Sequence, residues 1–282
     1  MRGKVVLITG ATDGIGKETA RALYGMGAHV VIVGRNPEKT ARVVEELSRQ
    51  NLNAGQLDGM VADLSSLKEI RRLVQEIKGK YTRLDVLVNN AGAFFSRRLV
   101  SVDGFEMTFA LNHLNYFYLT HLLLDLIKSS APARIVNVSS GAHTVVGGIN
   151  FNNLQSKGFY NGWAVYGRSK LMNILFTREL ARRLKNSQVT VNVLHPGFVA
   201  TRFGQNNQGL FNKFVKWSQR GAITPEQGAQ TSIYLASSSE VAEVSGEYFY
   251  KSKPIQPSEA AQNDETAKKF WEISLKLIGE KE

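Results

Sequence analysis

The sequence contains no cysteine, which removes disulfides, thiolate metal sites and cysteine nucleophiles together and gives no sign of an oxidising compartment. Long apolar runs are missing as well. After the basic start Met1-Arg2-Gly3-Lys4, the run Val5-Val6-Leu7-Ile8 stops at Thr9-Gly10, too short for a signal-peptide core. Nowhere do about 18 apolar residues follow one another, as a transmembrane helix requires. A soluble, cytoplasmic protein without an integral membrane segment is expected. His29, His113, His121, His143 and His195 show no short ligand spacing, so scattered structural roles are expected rather than a metal site. The net charge is +11, from 35 Lys and Arg against 24 Asp and Glu, yet no run of five or more basic residues occurs. That favours a basic surface suited to polyanionic cofactors, or weak contact with an acidic membrane surface, over a nucleic-acid partner. Repeats, low-complexity tracts and a Pro/Gly/Ser-rich linker are also absent, so residues 1–282 are read as one domain.

What is present is alternation. Short, β-branched, apolar runs at 5–9, 29–33, 57–62, 84–89, 134–139, 189–194 and 247–250 read as strands covered on both faces. Amphipathic stretches of helical length lie between them. In 38–50, Val43, Val44 and Leu47 share a face, after the start signal Asn36-Pro37. In 67–78, Leu67, Ile70, Leu73, Val74 and Ile77 do so, after Ser65 or Ser66 with Glu69. Sustained strand–helix alternation implies an α/β, doubly wound sheet of about seven parallel strands with helices on both faces. Ligands then bind along the edge where the strands end.

The rhythm breaks at 197–224, which is rich in Gly, Asn and Gln and then sets Leu210, Phe211, Phe214, Val215 and Trp217 among Lys213, Lys216 and Arg220. A substrate lid is the preferred reading, with a membrane-surface patch or an ordinary surface helix as alternatives. Residues 251–282 read as a C-terminal helical tail.

Thr9-Gly10-Ala11-Thr12-Asp13-Gly14-Ile15-Gly16 follows the first strand and opens a helix. Glycines there permit a sharp turn and bring backbone N–H groups to a pyrophosphate at the helix N-terminus. Gly10, Thr12, Asp13, Gly14, Ile15 and Gly16 are therefore candidate cofactor-binding residues. The second strand runs into Val33-Gly34-Arg35-Asn36. An acidic residue there would bind both ribose hydroxyls of NAD; Gly34 and Arg35 instead suit a 2′-phosphate. NADP(H) is expected in preference to NAD(H), which remains possible, and the acidic Asp13 in the glycine turn speaks against it. Asp63 and Leu64 follow the third strand; the Asp63 carboxylate either accepts from an adenine amino group or caps the next helix. Asn90-Ala91-Gly92 after the fourth strand allows close passage beside a cofactor, or is a plain turn.

Tyr166 and Lys170 stand four apart in a helical stretch, so hydroxyl and ammonium share a face. A free tyrosine has a pKa of about 10, and a neighbouring cation is expected to lower it and make the phenol a usable acid/base. Ser140 ends the fifth strand 26 residues earlier, where its hydroxyl can donate to a carbonyl oxygen developing negative charge. Asn112, a middling-to-poor helix former inside a long helix, hints at a polar task.

The glycine turn, Asn90-Ala91-Gly92, Ser140, Tyr166-x-x-x-Lys170 and His195-Pro196-Gly197 resemble, in order, the short-chain dehydrogenase/reductase family, and within it residues 151–154, 226–234 and 264–279 look most like the retinol dehydrogenase-type reductases. The resemblance runs from Lys4 to about Tyr250. It implies a Rossmann fold with catalytic Asn112, Ser140 (Ser139 as fallback), Tyr166 and Lys170. It also implies that Tyr166 and Lys170 contact the cofactor, that Asn112 holds a water linking the lysine to solvent, and that Pro196, Gly197, Val199 and Thr201 hold the nicotinamide end. The expected activity is carbonyl–alcohol interconversion on a small lipophilic substrate, with Lys170 also bonding the nicotinamide ribose. A non-catalytic NADP(H)-sensing protein and a nucleotide-sugar epimerase or dehydratase are the alternatives. A homodimer or homotetramer is expected, formed by pairing of the long helices at 103–128 and 164–184.

Overall fold

The computed structural model describes residues 1–50, 55–199 and 222–280. Seven parallel strands form one sheet: β1 Val5–Thr9, β2 His29–Gly34, β3 Gln56–Val61, β4 Val86–Asn89, β5 Ala133–Val138, β6 Val189–Leu194 and β7 Tyr248–Tyr250. Their order is β3-β2-β1-β4-β5-β6-β7. The chain winds outward from β1 in one direction and from β4 in the other, so a crevice opens between the ends of these two strands.

Successive side chains of a strand point to opposite faces, and the core follows that rule. Leu7, Val31, Val33, Leu87, Ile135 and Val191 feed one apolar cluster, while Val6, Ile8, Val30, Ile32, Val88 and Val136 feed the other. Helices α1 Gly14–Gly25 and α2 Pro37–Gln50 cover the second cluster. Helix α3 Leu67–Lys80 covers the first. The long helix expected over 103–128 is divided into α4 Met107–Phe109, a π-helical turn Ala110–Leu114 that carries Asn112, and α5 Asn115–Ser129. It starts later than expected because the buried Glu106 carboxylate accepts from Thr108 and Phe109 N–H, at 2.9 and 2.8 Å. Helices α6 Gly162–Arg183, α7 Pro225–Ser237 and α8 Asp264–Ile278 complete the layers.

The tail is more than a helix. An eighth strand, β8 Lys253–Pro254, pairs antiparallel with β7 through a turn whose Lys251 and Ser252 have positive φ. Two exposed residues, one of them proline, carry no period-2 signal, which is why the alternation gave no hint of it. Helix α8 then packs on α5 and α6, with Trp271 4.9 Å from Phe117 and Phe270 4.4 Å from His113, ring centre to ring centre. Among the described residues no helix is long and apolar enough to cross a membrane.

Candidate active site

The crevice is stitched shut at its base by Thr9. Its hydroxyl, fully buried at the end of β1, accepts from the N–H of Asn90 and of Ala91 at 2.9 and 3.0 Å. The Asn90 amide returns the favour, donating to the carbonyls of Thr9 and Gly10 at 2.9 and 3.2 Å. Gly10 has φ of 64°, and a Cβ there would lie 2.8 Å from Ala91 Cα, so only glycine fits between the two loops. Asp13 caps α1 by accepting from Gly14 N–H at 2.8 Å. The first-turn N–H groups of Gly14, Ile15 and Gly16 precede the helix's own ladder and form the positive end of its dipole. Gly10, Asp13, Gly14, Ile15, Gly16, Asn90 and Ala91 thus meet at the N-terminus of α1, a candidate cradle for a pyrophosphate, with Thr12 against Gly34 and Gly92 against Asn112 and Lys170 at its sides. Thr9 belongs to that cradle and was not among the expected residues, although it is the first letter of the turn motif itself.

Beside the cradle, Gly34 ends β2 where a Cβ would come within 2.3 Å of Thr40 Oγ1 and 2.4 Å of Thr12 Cγ2. No acidic side chain can stand there without displacing both neighbours. Arg35 follows, exposed. A second cation, Lys39 on α2, reaches across to Asp13, with Nζ 2.8 Å from Oδ2. Lys39 offers no sequence signal: 26 positions separate it from Asp13, and only the packing of α2 beside α1 joins them. Asp63 does not cap α3, since Ser66 is the N-cap. The Asp63 carboxylate instead accepts from Ser65 N–H and Oγ, at 2.9 and 2.7 Å, while Leu64 is buried in the core.

The catalytic candidates meet on α6, whose start Asn161 caps by accepting from Ala164 N–H at 3.1 Å. Tyr166 and Lys170 are 8% and 3% exposed. Between them Gly167 presses against the 3₁₀ turn Gly141–Val145 after β5; a Cβ on it would lie 2.6 Å from the Ala142 carbonyl. That contact brings Ser140 to Tyr166, and their hydroxyls are hydrogen-bonded. Ser139 is turned away: its buried hydroxyl donates to the Lys170 carbonyl at 2.8 Å. Lys170 Nζ donates to the Val138 carbonyl at 3.1 Å and lies 5.6 Å from the centre of the Tyr166 ring and 5.7 Å from that of Tyr116. Asn112 accepts from Ala93 N–H at 2.9 Å and donates to the Ala93 carbonyl and Ser169 Oγ, both at 3.0 Å. Its side chain thus ties the loop after β4 to α6.

Burial governs the electrostatics. It pushes the Tyr166 phenol up to about 12, partly countered by the hydrogen bond from Ser140, and pulls the Lys170 ammonium down to about 7. The expected lowering of the phenol by its cationic neighbour is not found: desolvation penalises the charged form of each group and raises the phenol, with only Ser140 acting against it. The phenol is held in the form that can donate a proton.

On the far side of the crevice, Pro196 and Gly197 follow β6, and Val199 bridges to Ile223. A Cβ on Gly228 of α7 would lie 2.7 Å from Val199 and 3.2 Å from Ile15, so this segment closes against the cradle. Thr201 lies outside the described residues, as does nearly all of 197–224. Aromatic side chains gather beside Tyr166. Phe94 sits 4.6 Å from Trp163 and edge-on to Tyr166 at 6.1 Å, and Phe159, Val145 and Phe198 are exposed at 94%, 73% and 58%.

Comparison with known proteins agrees with this geometry. The short chain dehydrogenase family profile matches residues 4–209. Human retinol dehydrogenase 14 is 46% identical over 297 residues, covering 99% of this chain and 87% of that protein. An uncharacterized protein from Mycobacterium paratuberculosis superimposes with a TM-score of 0.80 at 30% identity, over 99% of this chain and 95% of that one. The Pseudomonas aeruginosa RhlG/NADP active-site complex gives a TM-score of 0.70 at 32% identity, over 88% and 94%.

Proposed function

The chain belongs to the short-chain dehydrogenase family and is an oxidoreductase acting on CH–OH groups, and from that premise we propose that it interconverts a lipophilic carbonyl compound and its alcohol with NADP(H), Tyr166 serving as acid and base. The observation that carries the reading is the buried Tyr166 phenol, hydrogen-bonded to Ser140 and one helical turn from Lys170, beside a cradle suited to a dinucleotide.

When bound, the nicotinamide supplies a hydride to the carbonyl carbon or accepts one from the alcohol carbon. In reduction Tyr166 gives its proton to the oxygen as negative charge develops there, and in oxidation it takes that proton back. Ser140 donates a hydrogen bond to the same oxygen, a kind of contact worth about 10²–10³ in turnover. Lys170 stabilises the phenolate left behind and bonds the nicotinamide ribose. Asn112 supports the set by holding the Ala93 loop against Ser169, and Pro196, Gly197, Val199 and Thr201 hold the nicotinamide end.

Three features support NADP(H) over NAD(H). Position 34 has no room for an acidic side chain, Arg35 is exposed directly after it, and Lys39 neutralises Asp13. The aromatic pair Phe94 and Trp163 beside Tyr166 supports an apolar substrate, in line with relatives named for retinol. The lid reading of 197–224 falls mostly outside the described residues; the protein is taken to be soluble and cytoplasmic and to assemble as a dimer or tetramer.

The test is a titration of purified protein with NADPH and NADH, followed by an aldehyde, ketone and alcohol panel including retinoids. Tight NADPH binding with turnover of apolar carbonyls is expected. Binding without turnover of any panel member would replace the enzyme reading with a cofactor sensor.

A further inference from the structure

The chemistry proposed for Ser140, Tyr166 and Lys170 leaves His143 without a task. His143 lies in the 3₁₀ turn Gly141–Val145, and its ring is only 1% exposed. Both nitrogens are used. Nδ1 lies 2.8 Å from the Ser140 carbonyl oxygen, and Nε2 accepts from the Ser258 N–H at 3.1 Å. A carbonyl can only accept and an amide N–H can only donate. One form alone satisfies both contacts: the neutral imidazole with its proton on Nδ1. Burial favours that form, drawing the ring below the usual histidine range.

The consequences converge on the serine. The Ser140 carbonyl accepts from the His143 side chain and, at 3.2 Å, from the His143 backbone N–H. The Ser140 hydroxyl accepts from Ala142 N–H, also at 3.2 Å, which leaves its own proton for the phenol or for a substrate oxygen. The imidazole is walled edge-on by Tyr248 at 5.1 Å. His195 is the other histidine near it; it stacks on Tyr250 at 4.3 Å, and burial, then His143, draws it down to about 4. The ring therefore spans from the serine to the segment between β8 and α8, about a hundred residues further along the chain.

We infer that His143 is a positioning residue for Ser140: a neutral strut that ties the serine carbonyl to the Ser258 backbone and so fixes where the serine hydroxyl meets the substrate oxygen. This rests on the role given to Ser140 above. Misplacing a reacting group by about 1 Å can cost up to about a hundredfold in rate, so a strut that holds one loop in place has a measurable effect without touching substrate.

The two amide replacements separate this role from simple bracing, because an asparagine amide falls at the Nδ1 position and a glutamine amide at Nε2. His143→Gln keeps a partner for Ser258 and withdraws the one for Ser140; kcat should fall about tenfold at unchanged NADPH affinity. His143→Asn should restore kcat to within about threefold, although both variants lose similar thermal stability. In a Ser140→Ala background, His143→Gln should lower kcat no further. Equal losses in the two variants, additive losses with Ser140→Ala, or a loss confined to cofactor affinity overturns the inference. Full turnover in Ser140→Ala alone overturns the role of the serine and the strut with it; a loss there beside an unaffected His143→Gln overturns only the strut. Should either histidine variant fail to fold, Ser258→Pro removes the N–H, together with a hydroxyl that bonds nothing among the described residues, at a φ of −59° that proline adopts. It should lower kcat about threefold in the parent and not in Ser140→Ala, and an unchanged kcat in the parent counts against the strut.

Discussion

The proposed phosphate cradle and the proposed catalytic pocket sit on the same sheet edge but are made of different material. The cradle uses backbone and the smallest side chains, drawn from residues 9–16 and 90–92 and locked by the Thr9 hydroxyl and the Asn90 amide. The pocket uses large buried side chains from the turn after β5, the π-helical turn and α6, and its second support comes from Ser258. A cradle of backbone fails when a Cβ enters it. A pocket of buried polar side chains fails when one partner is removed, because the others are left desolvated.

The sharpest way to break the contrast is Tyr166→Phe. It keeps the ring packing against Phe94 and removes only the hydroxyl, so turnover should fall by about a thousandfold or more while NADPH affinity stays within about twofold. Stopped-flow turnover and cofactor titration check it, and substantial remaining turnover would remove Tyr166 from the mechanism. Next comes Gly10→Ala, the mirror image. It strains a residue at φ of 64° and collides with Ala91, and should cost about 1–3 kcal/mol of stability together with most cofactor affinity. An alanine variant that melts and binds NADPH like the parent would show that the cradle is looser than its contacts imply.

A smaller effect is expected at the rim. Lys39→Glu replaces the ion pair with Asp13 by a repulsion and puts a second negative charge near Arg35; the preference for NADPH over NADH should drop about tenfold, about 1.4 kcal/mol. An unchanged ratio would leave the preference to Arg35 alone. The smallest is a slope. Lys170 titrates at about 7 when folded and near its usual 10.5 when unfolded. Between those values the unfolded chain holds a proton that the folded chain does not, so stability rises with pH across that window. Tyr166, raised to about 12 from 10.0, acts in the opposite sense only above about pH 10. The melting temperature of the parent should therefore gain on that of Lys170→Met from pH 7 to pH 9, and parallel curves would contradict a buried, desolvated lysine.

The same contrast explains what the sequence made legible. Every residue of the cradle sits in a short motif read directly, since backbone geometry restricts residue type locally, as Gly10 and Asn90 illustrate, whereas Lys39 beside it does not. Strand positions were equally clear because burial on both faces leaves continuous apolar runs such as Val5–Thr9. Within the pocket, spacing along one helix paired Tyr166 with Lys170, and the resemblance added Ser140. It could not supply the sign of the Tyr166 shift, which depends on how deeply both groups are buried. Nor could it show the π-helical turn at Asn112, the hydroxyl of Ser139 turned onto Lys170, or the strand at Lys253–Pro254. The first two rest on partners far along the chain, as Asn112 with Ser169 and Ser139 with Lys170. The two-residue strand pairs with its neighbour β7 but is too short to carry an alternating pattern.

Helix α8 carries a consequence for the order in which the molecule can be completed. It contributes Phe270, Trp271, Leu275 and Ile278 to the larger core, and Ser258 just before it props His143. During synthesis from the N-terminus the residues of the cradle are finished before residue 100, whereas the pocket waits for the last few dozen residues to leave the ribosome. A chain cut short before residue 258 keeps every residue of its phosphate turn yet has neither the prop nor the cover over α5 and α6, so premature termination should yield a species with exposed apolar surface and no activity.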